Sequence, residues 1–427
     1  MPYRVSTNLF DLILCISDAV DLVSPMVSEH HRRVAYLSFQ IGRQYGLSRQ
    51  RCKELAIAAA LHDIGALSLR ERIDMLSFEL DETWQHADVG YLLLSGLERF
   101  RVSADIVRFH HVHWNDGAGK EKHGQPVSIE SHILHLADRI AVLIDPRKEV
   151  LAQARQIRRT LQQKSGSMFM PEILDAFYAV AEKDYLWFDL VAPSSDITVW
   201  RDLDWDVISL QGDEFLELAQ FFCRIVDFKS PFTATHSSGV AACARVMSEM
   251  IGFSNFDQRL MYMAGYLHDL GKLCVPSEIL EKPAKLSSDE FAVMRHHSYY
   301  TNHILQRVGV LDTVRVWSAY HHERLDGSGY PYHLKAADLS QGSRILAVAD
   351  VFTAVMENRP YRAGMPKAEG LQVVNDLART GKLDGDLVKL LNKRFDEIVT
   401  SALDAESLAS KAYQSFSERS GAFRQAD

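Results

Sequence analysis

An all-α protein made of two tandem copies of one helical bundle is what this sequence predicts. Two observations carry the prediction. Apolar residues recur at helical spacing, while strand-like alternation is scarce. A set of His- and Asp-bearing motifs also occurs twice, in the same order. Length agrees, because 427 residues exceed one ordinary core and divide naturally into two domains.

Composition narrows the function classes. Hydrophobic residues at 47% and charged residues at 24% are the balance of a soluble globular chain. A formal net charge of −9 argues against a nucleic acid polymer as partner, whereas a small phosphorylated ligand needs only local Lys, Arg or metal. Cys15, Cys52, Cys223, Cys243 and Cys274 are scattered and none sits in a CxxC, which points to reduced thiols and a cytoplasmic location. The start carries no signal-peptide cleavage pattern, and no run reaches about 18 apolar residues, so no membrane span is expected.

The repeat sets the elements in order. DLVSPMVSEHHRRVA (21–35) matches DFKSPFTATHSSGVA (227–241) at an offset of 206, pairing Asp21 with Asp227 and His30 with His236. The His-Asp pairs of AAALHDIGAL and MAGYLHDLGKL keep that offset. His86 then aligns with His297 at 211, as His110–His111 does with His321–His322, and Asp138 aligns with Asp350 at 212. This register pairs His30, not His31, with His236, and His297, not His296, with His86. In HSSGVAACARVMSEMIG, Val240, Ala244, Met247 and Ile251 fall on one helix face. Ser287 and Glu290 are spaced as a capping box, and Gly271 reads as a helix stop. KEVLAQARQIRRTLQQKSGS (148–167) reads as a charged surface helix. The expected division is a first domain over 1–195, a linker over 196–212 and a second domain over 213–427.

The second copy carries five imidazoles and two carboxylates, His236, His268, Asp269, His297, His321, His322 and Asp350, spread over several helices. Helices of that length can each point one or two side chains into a shared interior. No thiolate joins the set, and it is too large for one structural zinc. It suits two transition metals, with Asp269 as the best candidate for a bridge. Paired metals activate water and neutralise phosphate charge, the arrangement used in phosphoester hydrolysis.

These residues resemble the HD superfamily of metal-dependent phosphohydrolases, and the second copy resembles an HD-GYP domain. The matching motifs are THSSGVA, HDLGK (268–272), HHSYYTNHIL, HHERLDGSGYP (321–331) and ILAVADVFTAVMENRPYR (345–362). The resemblance covers nearly all of residues 213–400. It implies a helical domain that hydrolyses a cyclic dinucleotide, cyclic di-GMP or 3′,3′-cyclic GMP-AMP, to the linear 5′-phosphorylated dinucleotide, with iron or manganese. By resemblance, His236, His268, Asp269 and Asp350 hold one metal, and Asp269, His297, His321 and His322 hold the other. Lys272 then contacts the scissile phosphate or helps the attack, and Arg359 and Arg362 grip substrate phosphates. Asp326, Gly327 and Tyr330 belong to a loop expected to shape the pocket mouth and, in the family, linked to protein partners. Glu323 is either a residue that orients a ligand histidine or a plain helix-end glutamate. Family members with three metals carry a glutamate where this chain has Phe232, so two metals are expected; the first copy has Met26 there.

The first copy keeps a complete ligand set, His30, His62, Asp63, His86, His110, His111 and Asp138, so a metal site is expected there too. It lacks the substrate apparatus. Ala66 stands for Lys272, Val112 for Glu323, NDGAGKEKHG for the GYP loop, and only Arg147 falls roughly where an NRPYR arginine would. Three readings stay open for it: a packing relic, a metal- or nucleotide-binding regulator, or a second phosphohydrolase that dephosphorylates the product. For the whole chain, the alternatives are a cyclic-dinucleotide receptor without turnover and a nucleotidase acting on mononucleotides.

Overall fold

The computed structural model describes residues 6–21, 29–66, 78, 85–192, 205–209, 213–229, 235–280, 282, 284–357 and 364–423. Arg359, Arg362, Phe232 and Met26 lie outside these residues. The described chain is helical, and its strands are confined to two short two-stranded pairings. No described helix is long and apolar enough to cross a membrane.

Two compact units are present: Leu12–Asp206 with the chain's end from Glu418, and Val207–Ser417 with the chain's start up to Asp11. The start therefore differs from a simple division at the linker. Strand Ser6–Asn8 pairs antiparallel with Val207–Ser209, with Ser6 opposite Ser209, and so belongs to the second unit. Three residues are too few to show an alternating pattern in the sequence.

Each unit repeats one plan. The first uses helices His30–Tyr45, Arg49–Ala60, Gln85–Leu94, Arg101–Arg108 and Ile129–Leu143; the second uses His236–Met250, Asn255–Leu267, Ser288–Leu305, Asp312–Ala319 and Gln341–Met356. In both, the first helix packs on the second and on the fifth. Helix starts repeat in register. Ser48 and Ser254 cap the second helices by accepting from the N–H of Arg51 and Asp257, and Ser128 and Ser340 cap the fifth by accepting from Ser131 and Ser343. The Ser287–Glu290 capping box forms as expected. Val240, Ala244 and Met247 are buried on the core face, and Ile251 is half-buried where that helix ends. The Val150–Gln162 helix buries only Val150, Ile157 and Leu161.

One glycine has a different task from the one expected. Helix Asn255–Leu267 ends before Gly271, which lies in the following tight turn, Leu270–Cys274. A Cβ on Gly271 would stand 2.0 Å from the backbone oxygen of His297, and one on Gly65 would stand 2.1 Å from that of His86. Gly271 is therefore a close-approach residue that lets the His-Asp turn lie against the helix bearing the third histidine. Thr301 ties the same two elements: its hydroxyl donates to the His268 carbonyl and accepts from Gly271 N–H.

Candidate metal centres

In the second unit the repeated helices bring all seven predicted ligands together. His236 opens its helix, His268 and Asp269 form the turn after Asn255–Leu267, and His297 sits mid-helix. His321 and His322 follow Asp312–Ala319, and Asp350 projects from Gln341–Met356. All are buried except His322, which is half-buried. Asp350 Oδ1 stands 3.1 Å from His236 Nε2 and 4.0 Å from His268 Nε2, and its Oδ2 stands 3.6 Å from His322 Nδ1. Asp269 Oδ2 stands 3.2 Å from His268 Nε2, and its Oδ1 stands 3.5 Å from His297 Nε2. Asp269 thus reaches both ends of the cluster, as a bridging carboxylate must.

Local backbone sets the ring orientations. Nδ1–H of His268, His297 and His321 donates to the carbonyl three residues earlier, on Gly265, Met294 and Ser318, at 2.7, 2.7 and 2.5 Å. Each Nε2 is thereby turned inward. His236 is held differently, with Nδ1 3.1 Å from Glu357 Oε2. Glu357 caps the Gln341–Met356 helix, where the backbone turns extended and returns its side chain to the cluster. Nothing in the motif reading singled out Glu357. A signal existed: it lies seven residues after Asp350, on the same helix face.

Charge follows this geometry. Burial drives His321 down to about 3 and His297 down to about 4, so both are neutral and offer lone pairs. For His236 burial is outweighed, first by Glu357 and then by Asp350, and its pKa rises to about 10. Burial would also raise Asp269, but His268 and Lys272 hold its carboxyl well below the usual range.

The first unit forms an equivalent centre. Asp63 Oδ2 stands 3.1 Å from His62 Nε2, and its Oδ1 stands 3.6 Å from His86 Nε2 and 3.9 Å from His110 Nε2. Asp138 Oδ1 stands 3.3 Å from His30 Nε2, and His86 and His111 face each other through Nε2 at 2.8 Å. Nδ1–H of His62 and His110 again donates three residues back, to Ala59 and Val107. Burial pushes His110 down to about 3, while Asp63 overrides burial and raises His62 to about 9. A buried guanidinium marks the difference between the copies. Arg139 holds Asp138 Oδ2 through Nη2 at 2.6 Å and Nε at 3.1 Å, where the second copy has Val351.

Both donor sets fit divalent transition metals. His62 Nε2, Asp63 Oδ1, His110 Nε2 and His268 Nε2 are buried without a hydrogen-bond partner among the described residues. Orphaned buried polar atoms are costly unless something coordinates them. Three triplets in the second unit, His236–His268–Asp350, His268–Asp269–His321 and His297–His321–His322, are close enough to hold an ion, as are His30–His62–Asp63 and His86–His110–His111 in the first.

Beside the second centre lies a cavity of about 350 Å³, lined by His236, Asp269, Lys272, Lys282, His297, His322, Tyr330 and Asp350 among others. Lys272 Nζ stands 2.5 Å from Asp269 Oδ2. Tyr330 packs its ring on His322 at 4.8 Å between centroids, with the Arg295 guanidinium 4.9 Å from the Tyr330 centroid. Lys282, which the motifs did not mark, enters the same wall and pairs with Glu290 at 2.6 Å. Asp326 and Gly327 are not among the lining residues. Asp326 is exposed and accepts from Ser328 N–H and Oγ–H at 2.9 and 2.7 Å, while Gly327 takes φ 82° in the same turn. Glu323 does not orient a ligand histidine. Its buried carboxylate accepts from Tyr332 N–H at 2.7 Å and Leu334 N–H at 2.9 Å, which pins the loop after Tyr330. In the first copy that brace is absent, since Val112 replaces it. The loop is instead held by Asn115 and Asp116 N–H donating to Ser167 and Gly166 carbonyls.

Two bundles, each built around an adjacent His-Asp pair with five further ligands from neighbouring helices, define the HD class of metal-dependent phosphohydrolases. Comparison with known proteins agrees. HD-domain family models match residues 27–143 and 220–387. The chain is 30% identical over 403 residues to 3′3′-cGAMP-specific phosphodiesterase 1 of Vibrio cholerae, covering 90% of this chain and 91% of that protein. It is 36% identical over 146 residues to the cyclic di-GMP phosphodiesterase response regulator RpfG of Xanthomonas campestris pv. campestris, covering 33% of this chain and 37% of that one. Its fold is similar to the crystal structure of a cyclic GMP-AMP specific phosphodiesterase of V. cholerae, with TM-score 0.61 and 23% identity over 93% of this chain and 98% of that one. The chain belongs to the HD-domain phosphodiesterase family.

Proposed function

We propose that the chain hydrolyses a cyclic dinucleotide at the second centre, with 3′,3′-cyclic GMP-AMP the first substrate to test and cyclic di-GMP the second. The observation that carries this reading is the cavity in which Lys272 and Tyr330 meet five of the seven ligands, His236, Asp269, His297, His322 and Asp350. Similarity over nine-tenths of the chain to a 3′3′-cGAMP-specific enzyme favours the first substrate. In the reaction water attacks phosphorus in one 3′–5′ linkage, the P–O3′ bond breaks, and the linear dinucleotide leaves with a 5′-phosphate. His236, His268, Asp269 and Asp350 would hold one ion, and Asp269, His297, His321 and His322 the other. Two divalent ions, Fe or Mn by donor type, supply Lewis acidity and lower the pKa of bound water. Lys272 and Lys282 place positive charge where phosphoryl oxygens gather. Tyr330 gives an aromatic wall, braced by Glu323. A cytoplasmic location and a protein partner at the exposed Asp326–Ser328 turn complete the reading, the former supported by five buried free thiols.

A second reading concerns the first centre. Its orphaned donors favour a working metal site over a relic, and further dephosphorylation of the linear product is the activity to test there. Turnover of both cyclic dinucleotides and their linear products, with Mn²⁺ or Fe²⁺, tests both readings in wild type, Asp269→Ala and Asp63→Ala. Linearisation lost only in Asp269→Ala supports the first reading, and product dephosphorylation lost only in Asp63→Ala supports the second. Cyclic dinucleotide binding without any linear product would leave a receptor instead.

A further inference from the structure

The first unit contains a buried imidazole that its seven ligands leave out. His31 is 3% exposed and follows the ligand His30. Asp21, at the end of helix Leu9–Asp21, grips it twice: one carboxylate oxygen accepts from His31 N–H at 3.3 Å and the other from Nδ1–H. The remaining ring nitrogen, Nε2, is buried and has no hydrogen-bond partner among the described residues. That property is shared with His62 Nε2 and His110 Nε2, two ligand atoms of the same centre. The His31 ring lies 4.9 Å from the His62 ring and 5.6 Å from the His30 ring between centroids, at the His30–His62–Asp63 end.

A purely structural role explains this poorly. Arg32 already ties the two helices through a buried bidentate pair with Asp18, at 2.5 and 2.6 Å. A second tie that strands a buried nitrogen works against folding.

Comparison of the copies gives the nitrogen a task. At the shared offset of 206, Asp227 answers Asp21, Ser237 answers His31 and Lys272 answers Ala66. In the second copy Asp227 Oδ1 has no hydrogen-bond partner among the described residues, its Oδ2 accepts from Cys223 Sγ–H at 3.1 Å, and Lys272 reaches the ligand Asp269. Each copy therefore brings one nitrogen donor to its His-Asp pair, a lysine in one and an aspartate-held histidine in the other, and neither has both.

We infer that His31, held by Asp21, is a phosphate-contacting residue of the first centre, filling there the place of Lys272. The inference rests on the reading that this centre binds metal and a phosphorylated ligand. Its Nε2 would face a phosphate oxygen at the His30–His62–Asp63 end, the two atoms sharing one proton.

The test uses the full-length chain with the second centre silenced by Asp269→Ala and Asp350→Ala, loaded with Mn²⁺. Inorganic phosphate is the probe, followed by calorimetry, with metal content measured in parallel. His31→Ser is expected to weaken phosphate binding about tenfold with metal content unchanged. Adding Ala66→Lys to His31→Ser rebuilds the second copy's arrangement and is expected to recover most of the loss. Phosphate affinity within twofold of the parent at full metal content overturns the proposal, and so does a double variant that recovers nothing. Metal lost together with phosphate in His31→Ser would make His31 a ligand or a structural residue, against the proposal. A parent protein that takes up no metal removes the reading of the first centre, and this inference with it.

Discussion

Replacing Glu357 tests whether the second centre is asymmetric. Among His236, His268, His297 and His321, only His236 has its outer nitrogen on a carboxylate; the others rest on backbone carbonyls. A hydrogen bond to a charged acceptor contributes about 1.5–3 kcal/mol, against about 1 kcal/mol for a neutral one. Glu357→Gln keeps an acceptor but loses the charge, a difference of about 0.5–2 kcal/mol, or about two- to thirtyfold in metal affinity at the His236 end. Glu357→Ala also strands the buried Nδ1–H, and its effect should approach the upper part of the about 10–100-fold range of lost outer-shell partners. The opposite end, at His297, His321 and His322, should be unaffected. Competition of Mn²⁺-loaded protein, its first centre silenced by Asp63→Ala and Asp138→Ala, against a fluorescent chelator, with stoichiometry from mass spectrometry, resolves the two ions. One ion should leave early and the other at its wild-type affinity. Both ions shifting together, or neither by more than twofold, would refute the asymmetry.

Two further outcomes follow from the fold. Gly271→Ala places a methyl 2.0 Å from the His297 backbone oxygen, so the His-Asp turn must separate from its neighbouring helix. Thermal melting should fall by several degrees and metal uptake by the second centre should fail, while a glycine with open space around it and no positive φ, such as Gly309, tolerates alanine far better. Asp227 is pushed by burial up to about 8. Its folded form binds a proton that the unfolded chain releases near pH 4, so this residue withdraws stability as pH rises from about 4 to about 8. Asp227→Asn removes that slope; in metal-free protein its melting-temperature gain over wild type should grow from pH 5.5 to pH 8, and a constant difference would contradict it.

The repeat made the architecture and both ligand sets legible, because a helix can move by an insertion while its ligand stays in register with its neighbours. That is why His86 and His297 fall beside His110 and His321 despite the change of offset. What escaped lies where the copies differ. Glu357 has Asp145 opposite it at the last offset, a half-buried carboxylate that pairs with Arg147, and neither acid falls in a ligand motif. His31 was set aside by the very alignment that identified His30, since a serine answers it. Lys282 sits outside every motif and lines the cavity together with Leu280, Ala284 and Leu286. The helix-stop reading of Gly271 was reasonable from one strand of sequence, but its cause is a tertiary contact between segments 26 residues apart. Asp326 was read as a pocket residue because loop motifs carry no direction; its carboxylate serves its own turn.

The pairing of Ser6–Asn8 with Val207–Ser209 means that the polypeptide starts in one domain, builds most of the other, and returns to the one it left before ending, from Glu418, in the other. The two HD domains are interleaved along the chain, not strung in series. A fragment starting at Val207 would begin with a strand whose complement has been deleted. Conversely, trimming the first few residues, remote in sequence from every ligand, would be felt in the domain that carries His236 and Asp350. Studies that separate the two centres are therefore better served by point substitutions in the intact chain than by cutting it in half.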